Sequence, residues 1–176
     1  MRCTDGPARG CLLGEDSVRC SVFGAALDRR HGRTDRHPVD LPIDHGTGIG
    51  AIGFCFGGLC SLLMARMGLP MRGAISFHGL LEVGAGLDAK PKARMLVLHG
   101  QDDPMVPPAK VGAWAEEMKR IGADWQLHAY PGVMHAFTNP AANDPKFGTV
   151  YDAGADGRSW ASAKAFLAEV FGAASD

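Results

Sequence analysis

Four short apolar segments that alternate with helix-like segments constrain the fold of this chain more than any other feature. The first of them, Ile49–Phe54, combines apolar and small residues and fits a strand that is buried on both faces. The three later segments are Gly73–Phe77, Met95–His99 and Trp125–Tyr130. Strands that alternate with helices favour a parallel sheet with helices on both faces. The sequence therefore predicts an α/β fold.

Three segments have the pattern of helices. Residues 57–67 read as a helix that Gly68 and Pro70 end, and a second helix is expected from Pro107 or Pro108 to Ile121. A closing amphipathic helix is predicted over residues 158–171, after a long loop over residues 131–157.

The first 47 residues differ from the rest of the chain. They contain seven arginines, no lysine and three of the five cysteines, and no helical or strand period persists in them. Only Ser21–Leu27 fits a short apolar element. We therefore divide the chain into a weakly specified segment, residues 1–47, and a well-specified portion of a domain, residues 48–176.

Composition and spacing exclude several classes of function. The formal net charge is −1 and the basic residues are scattered, so we expect no nucleic-acid partner. No apolar run approaches the ~20 residues of a membrane-spanning helix. The odd number of cysteines favours free thiols in a reducing cytoplasm. Neither metal-ligand spacing nor a nucleotide-binding glycine motif occurs, so we expect no metal and no cofactor.

Cys55 is the candidate nucleophile, in the segment Gly53–Gly58 where the first strand turns into a helix. A nucleophile on such a sharp turn needs small neighbours, and glycines stand two residues before and two residues after Cys55. The turn directs the next backbone N–H, that of Phe56, toward a carbonyl oxygen that the sulfur attacks, as an oxyanion donor. The helix N-terminus favours the thiolate. The alternative is a buried structural cysteine.

An acid and a histidine follow Cys55 in the chain order of α/β-hydrolases. Asp103 comes after the third strand, where a carboxylate can accept the Nδ1 proton of a histidine. His135 lies five residues past the fourth strand, in a loop from which a base can reach across to a neighbouring strand. Asp102 is the rival acid, and a turn-forming carboxylate before Pro104 is the structural alternative.

Other candidate groups are weaker. Cys60 lies inside the first helix and is expected to be a small core residue. His99 is expected to be a structural histidine at the end of a strand. His78 ends the second strand on the same sheet edge as Cys55, so it could line the pocket, although a packing role is favoured. The remaining histidines are expected to be solvated or to lie within a strand: His31, His37, His45 and His128.

Residues from about 49 to 171 resemble the dienelactone hydrolase family of α/β-hydrolases. The resemblance is carried by Ile52–Gly58, Ser76–Gly79, Leu98–Pro107, Trp125–Tyr130, His135–Pro140 and Arg158–Trp160. It implies an α/β-hydrolase fold, with a parallel sheet flanked by helices. It also implies a triad of Cys55, His135 and Asp103 that hydrolyses a small-molecule ester or lactone through a thioester, without metal or organic cofactor.

The chain departs from the family pattern at two places. Archetypal members hold the substrate carboxylate with an arginine four residues after the histidine, where this chain has Asn139, which weakens the case for a dienelactone. The family also has several strands before the nucleophile strand, with a loop that supplies a second oxyanion donor, and residues 1–47 match none of them. The resemblance therefore implies a sheet that lacks its N-terminal strands. Ile49–Phe54 would then be an exposed edge through which the protein could self-associate.

Two alternatives use the same residues. One is an incomplete, non-catalytic fragment of the fold, and the other is an acyltransferase or thioesterase with the same triad. The non-catalytic fragment would have a Cys55 no more reactive than an ordinary thiol, whereas the acyltransferase or thioesterase would act at the same site as the hydrolase.

We hypothesise that residues 1–47 are a truncated or out-of-frame start. An Arg-rich and Cys-rich stretch without lysine is what a GC-rich gene gives when it is read in the wrong frame. Translation of the upstream DNA in all three frames should then reveal the strands that the family places before Ile49. Finding no such strands would refute the hypothesis.

Overall fold

One seven-stranded sheet organises the protein in the computed structural model. The structure describes residues 48–84 and 86–172 in full, and the backbone of three N-terminal strands. The strands are β1 (Arg2–Cys3), β2 (Cys11–Leu12), β3 (Arg19–Gly24), β4 (Ile49–Phe54), β5 (Gly73–Phe77), β6 (Arg94–Gly100), β7 (Trp125–Tyr130), β8 (Asn143–Asp144) and β9 (Thr149–Val150). The helices are α1 (Phe56–Arg66), α2 (Pro108–Arg120) and α3 (Ala153–Phe171).

The four strands β4 to β7 are parallel and adjacent in chain order. The register places Phe54 opposite Phe77, and Phe77 opposite Leu98. The carboxyl ends of these strands therefore lie side by side along the C-terminal edge of the sheet. The segments that follow β4, β5 and β6 begin next to one another there. In open α/β sheets this edge is where ligands bind.

Strand β4 is not an edge of the sheet. β3 pairs with it in antiparallel register, with Cys20 opposite Gly53 and Gly24 opposite Ile49. The expectation that Ile49–Phe54 is an exposed edge is therefore wrong, because the backbone groups of this apolar strand are paired on both sides. Self-association through β4 thus has no free edge to use. β3 overlaps the apolar element that the sequence indicated from Ser21.

Helices cover both faces of the parallel strands. In β6, Met95 and Val97 pack in one core cluster with Trp114 of α2. Leu96 packs in a second cluster with Phe166 of α3. Helices α1 and α2 therefore cover one face and α3 covers the other. Full burial of each large apolar side chain contributes about 1.5–3 kcal/mol, so this layering holds the strand ends in place.

The predicted strands and the first two helices occur within one or two residues of their expected ends, and within residues 48–172 the segment 131–157 differs most from the expectation. This segment was expected to be a loop, but it contains the β8–β9 hairpin and the first turn of α3. Helix α3 begins at Ala153 because the Asp152 carboxylate accepts the N–H of Ala155 at 2.7 Å, as an N-cap does. Gly154 and Gly157 obscure the helical pattern there.

The close approach of β4 to α1 requires a glycine at position 53. A Cβ atom there would overlap the backbone carbonyl group of Gly57, which has no side-chain freedom to move away. Only a residue without a side chain permits the sharp turn that presents Cys55.

We predict that Gly53→Ala lowers the free energy of unfolding by about 3 kcal/mol, at the upper end of overpacking costs, because the overlapping atoms are backbone. Urea denaturation followed by circular dichroism measures this. The matched control is Gly112→Ala in α2, where nothing lies within 4 Å of the added methyl group. The control should stabilise the protein by about 0.5–1 kcal/mol. Equal destabilisation by the two substitutions would contradict the requirement at position 53.

Candidate active site

Backbone strain marks the edge where the parallel strands end. Three non-glycine residues of the described chain have positive φ: Cys55 at 53°, His78 at 39° and Ala136 at 56°. Such conformations cost energy, and they cluster at functional sites where the surrounding structure enforces them. Two of these residues directly follow β4 and β5, and the third follows His135.

Cys55 sits at the N-terminus of α1. Its N–H donates to the carbonyl oxygen of Phe77 at 3.1 Å, and its own carbonyl accepts the N–H of Gly58 at 2.9 Å. The backbone N–H of Phe56 helps to lower the pKa of the Cys55 thiol. The half-buried sulfur therefore faces the donor groups of a helix start, which favour a negative charge.

Asp103 and His135 form a buried pair. His135 donates from Nδ1 to Oδ2 of Asp103 at 2.7 Å, and the side chains are 2% and 0% exposed. The other carboxylate oxygen accepts the backbone N–H of Met105 at 2.8 Å. The two oxygens of Asp103 thus have distinct partners, and the imidazole is held with Nδ1 directed away from the sulfur. Asp102, the rival acid, is exposed.

The charges of these three groups support one another. Burial disfavours the charged form of His135, but hydrogen bonds with Asp103 and Cys55 and the charges of both raise the pKa of His135 to about 9. The same contact with His135 is the main influence that lowers the pKa of Cys55, against its burial. Burial also disfavours the Asp103 carboxylate, yet its hydrogen bond with His135 lowers the pKa of Asp103 below the ordinary value. These shifts favour a pair made of the Cys55 thiolate and the His135 imidazolium.

The hydrogen-bonding contact between Cys55 and His135 shifts both pKa values, but its geometry is looser than that of the hydrogen bond between His135 and Asp103. Nε2 of His135 is buried and makes no hydrogen bond of standard geometry with the described residues. Catalytic hydrogen bonds are commonly long or misaligned without substrate. Nε2 is therefore available to a third group that enters between it and the sulfur.

His78 lies against His135, with ring centroids 5.0 Å apart in an edge-on arrangement. Its Nε2 shares a 2.9 Å hydrogen bond with Oγ1 of Thr138. Burial, with the nearby His135, lowers the pKa of His78 to about 3, so this imidazole is neutral at working pH. Its Nδ1 has no hydrogen-bond partner among the described residues. The structure thus brings His78 to the site as a neutral group.

The other sequence candidates occupy different positions. His99 is buried, and burial lowers its pKa, so it is a neutral imidazole beneath the acid loop. The Asn139 side-chain oxygen accepts the N–H of Ala141 at 3.1 Å, in a local turn. Cys60 is a half-buried free thiol in α1. His128 shares a 3.0 Å hydrogen bond with Ser162. His31, His37 and His45 lie outside the described residues.

Sequence reasoning missed Thr138, the hydrogen-bond partner of His78. It belongs to the segment His135–Pro140 that carried the family resemblance, but no local pattern reveals a hydrogen bond across 60 residues. In the part of the chain that the structure describes, no group of three or more histidine, cysteine, aspartate or glutamate residues could hold a metal ion. No described helix is long and apolar enough to cross a membrane.

The chain has relatives among known protein sequences. The profile of the dienelactone hydrolase family matches residues 40–171. An uncharacterized protein of Caenorhabditis elegans is 40% identical over 127 residues, which are 70% of this chain and 80% of that protein. A probable 2-oxo-3-(5-oxofuran-2-ylidene)propanoate lactonase of Bradyrhizobium is 30% identical over 51% of this chain and 40% of its own length.

One solved structure is similar to this chain in both fold and sequence. It is a dienelactone hydrolase-like promiscuous phosphotriesterase from metagenomic libraries, 38% identical, with a TM-score of 0.69. The match covers 76% of this chain and 57% of the phosphotriesterase. The chain therefore spans little more than half the length of this solved relative.

The electrostatics of the site predict an unusual pH dependence of thiol alkylation. Because the imidazolium of His135 stabilises the thiolate, Cys55 should react with iodoacetamide at a pH below 9.0, the ordinary pKa of a cysteine. His135→Ala should move the reactive limb of Cys55 back to higher pH. Peptide-level mass spectrometry measures the rates, with the Cys60 peptide of the same sample as the control. Identical pH profiles for Cys55 before and after the substitution would show that no ion pair exists.

Proposed function

The chain belongs to the dienelactone hydrolase family, and from that premise we propose that Cys55, His135 and Asp103 hydrolyse a small-molecule ester or lactone through a thioester. The observation that carries the proposal is the buried hydrogen bond between His135 and Asp103. It leaves Nε2 of His135 beside the sulfur, with no hydrogen bond of standard geometry to any described residue. A nucleophile, a base and a group that orients the base are the elements of this chemistry.

In the first half-reaction the Cys55 thiolate attacks the ester carbonyl carbon. The carbonyl electron pair moves onto oxygen, and the backbone N–H of Phe56 donates to this oxyanion. When the tetrahedral intermediate collapses, the C–O bond to the leaving group breaks and Nε2 of His135 gives its proton to the departing alkoxide. The products are an alcohol and a thioester on Cys55. With a lactone the alcohol stays attached to the acyl chain.

In the second half-reaction neutral His135 accepts a proton from water at Nε2. The resulting hydroxide attacks the thioester carbonyl, and the Cys55 thiolate leaves when the second intermediate collapses. His135 is again an imidazolium, and the product is a carboxylic acid. Each half-reaction needs Nε2 first in one protonation state and then in the other. The Asp103 carboxylate keeps Nδ1 protonated throughout, so only Nε2 exchanges protons.

His78 and Asn139 are proposed to border the substrate. His78 is neutral, so it places no second positive charge beside the imidazolium of His135. Asn139 is half-buried and provides no charge for a substrate carboxylate. These features favour an uncharged ester or lactone over a dicarboxylate-like dienelactone. Water, rather than an alcohol or thiol, is proposed as the acyl acceptor.

We predict that Cys55→Ala abolishes hydrolysis of p-nitrophenyl acetate, because no sulfur remains to form the thioester. Cys60→Ala is the matched control and should retain the wild-type rate, since Cys60 lies outside the site. Asp103→Asn should lower kcat by about 10²–10⁴-fold, because the tautomer of His135 is no longer fixed. Release of p-nitrophenol measures all three rates.

Brief incubation with the ester followed by digestion and mass spectrometry should locate the acyl group on Cys55. Equal hydrolysis by Cys55→Ala and Cys60→Ala would refute the proposed mechanism. A wild-type protein that neither hydrolyses the ester nor becomes acylated would favour the non-catalytic alternative. Products transferred to an added alcohol or thiol in preference to water would instead identify an acyltransferase.

A further inference from the structure

The β8–β9 hairpin contacts the main chain of His135. The N–H of His135 donates to the carbonyl oxygen of Gly148 at 2.9 Å, and the carbonyl oxygen of His135 accepts the N–H of Val150 at 3.0 Å. These two hydrogen bonds form an isolated parallel bridge between His135 and Thr149. The loop that carries the base is therefore fixed to a second element immediately at His135 itself.

The same hairpin contacts the loop that carries the acid. A Cβ atom at Gly148 would overlap the ring of Pro104, the residue that follows Asp103. Gly148 has φ of 88°, in the left-handed region that favours glycine. One residue thus packs against the acid loop with its Cα and holds the histidine loop with its carbonyl oxygen.

The hairpin is rigid enough to transmit this contact. Oδ1 of Asp144 accepts the N–H of Lys146 at 3.1 Å and that of Phe147 at 3.0 Å. The Asp144 carbonyl oxygen accepts the N–H of Gly148 at 2.9 Å. The turn is therefore closed by both the side chain and the backbone of Asp144, which is the usual way an aspartate fixes a turn.

We propose that Gly148 is a positioning residue that sets the separation of Asp103 and His135. It touches neither the sulfur nor the reacting atoms of the proposed mechanism. Its contact with Pro104 limits how far the loop that carries Asp103 can move. Its carbonyl oxygen accepts the N–H of His135 and so fixes the position of the loop that carries the histidine. The 2.7 Å hydrogen bond between Nδ1 and Oδ2 is the result of both contacts. This inference rests on the proposed function only for its effect on hydrolysis.

The pH dependence of the site reports this geometry. The titratable groups around His135 are Asp103 from the loop after β6, His99 from β6, His78 from the end of β5 and Cys55. Burial lowers the pKa of both His78 and His99, so both rings are neutral at neutral pH. A longer distance between His135 and Asp103 therefore lowers the pKa of His135. The less stable imidazolium then stabilises the Cys55 thiolate less, so the pKa of Cys55 rises.

The test is Gly148→Ala, measured by the pH profile of Cys55 alkylation and by ester hydrolysis. The reactive limb of Cys55 should move to higher pH. The value of kcat should fall by about tenfold to a hundredfold with KM nearly unchanged, because a small displacement of catalytic groups acts on the transition state. The control is Gly68→Ala, which places alanine at φ of 76° with nothing within 4 Å. It introduces comparable backbone strain and should leave both readouts unchanged.

Substitution of Pro104 separates the contact from the strain. The double variant Gly148→Ala with Pro104→Ala removes the ring that the new methyl group overlaps, so its alkylation profile should return toward that of Pro104→Ala alone. The double variant also provides the test if Gly148→Ala alone does not fold. A double variant that folds with a recovered profile supports the proposal, and one that fails to fold or recovers nothing overturns it. An unchanged profile in Gly148→Ala also overturns it.

The two readouts distinguish this inference from the proposed function. Alkylation of Cys55 requires no substrate turnover. If wild-type protein hydrolyses no ester but Gly148→Ala still moves the alkylation profile, positioning by Gly148 stands and the hydrolase proposal fails. If hydrolysis occurs and the profile does not move, the hydrolase proposal stands and this inference fails.

Discussion

The sharp turn from β4 into α1 is the constraint on which the rest of the site depends. It forces Cys55 into a positive-φ conformation, and it is possible only because Gly53 lets strand and helix approach within backbone contact. Once the sulfur is fixed at this edge, the parallel register of β4, β5 and β6 decides what lies beside it. His78 directly follows β5, and Asp103 follows β6 by three residues. The sheet thus positions the acid, Asp103, and a loop after β7 carries the base, His135.

The electrostatic arrangement follows from burial. A single unpaired charge buried at the C-terminal edge of the sheet would cost free energy. The Cys55 thiolate, the His135 imidazolium and the Asp103 carboxylate alternate in sign, so each stabilises its neighbour. In the described part of the chain two other histidines are buried, His78 and His99, and they remain neutral and add no competing charge. Burial thus selects which imidazole becomes charged. Of the three buried histidines in the described residues, it is His135, with its carboxylate and thiol partners, whose pKa is raised.

The sequence was informative wherever one local rule dominates. Glycines around Cys55 predicted a tight turn because few other residues permit one, and apolar runs predicted strands β4 to β7. Asp102 and Asp103 could be ranked only by the loop residues that follow them, and the structure brings Asp103 to His135.

Three features could not be predicted, each for a physical reason. The pairing of β3 with β4 joins segments separated by a stretch without periodicity. The hairpin strands β8 and β9 have two residues each, too few for alternation to appear. The early start of α3 depends on the Asp152 cap, which two nearby glycines obscured. Non-local pairing and side-chain capping decide these elements, and neither produces a periodic signal.

At neutral pH we expect His135 to be an imidazolium that is held by Asp103 and paired with the Cys55 thiolate. A pH titration of the histidine ring carbons by nuclear magnetic resonance tests it directly, with His135→Gln used to assign the signal. The His135 resonance should titrate near pH 9 and move to lower pH in Asp103→Asn. A His135 resonance that titrates near 6.5, the ordinary pKa of a histidine, and does not respond to Asp103→Asn would show that Asp103 does not stabilise an imidazolium at this position.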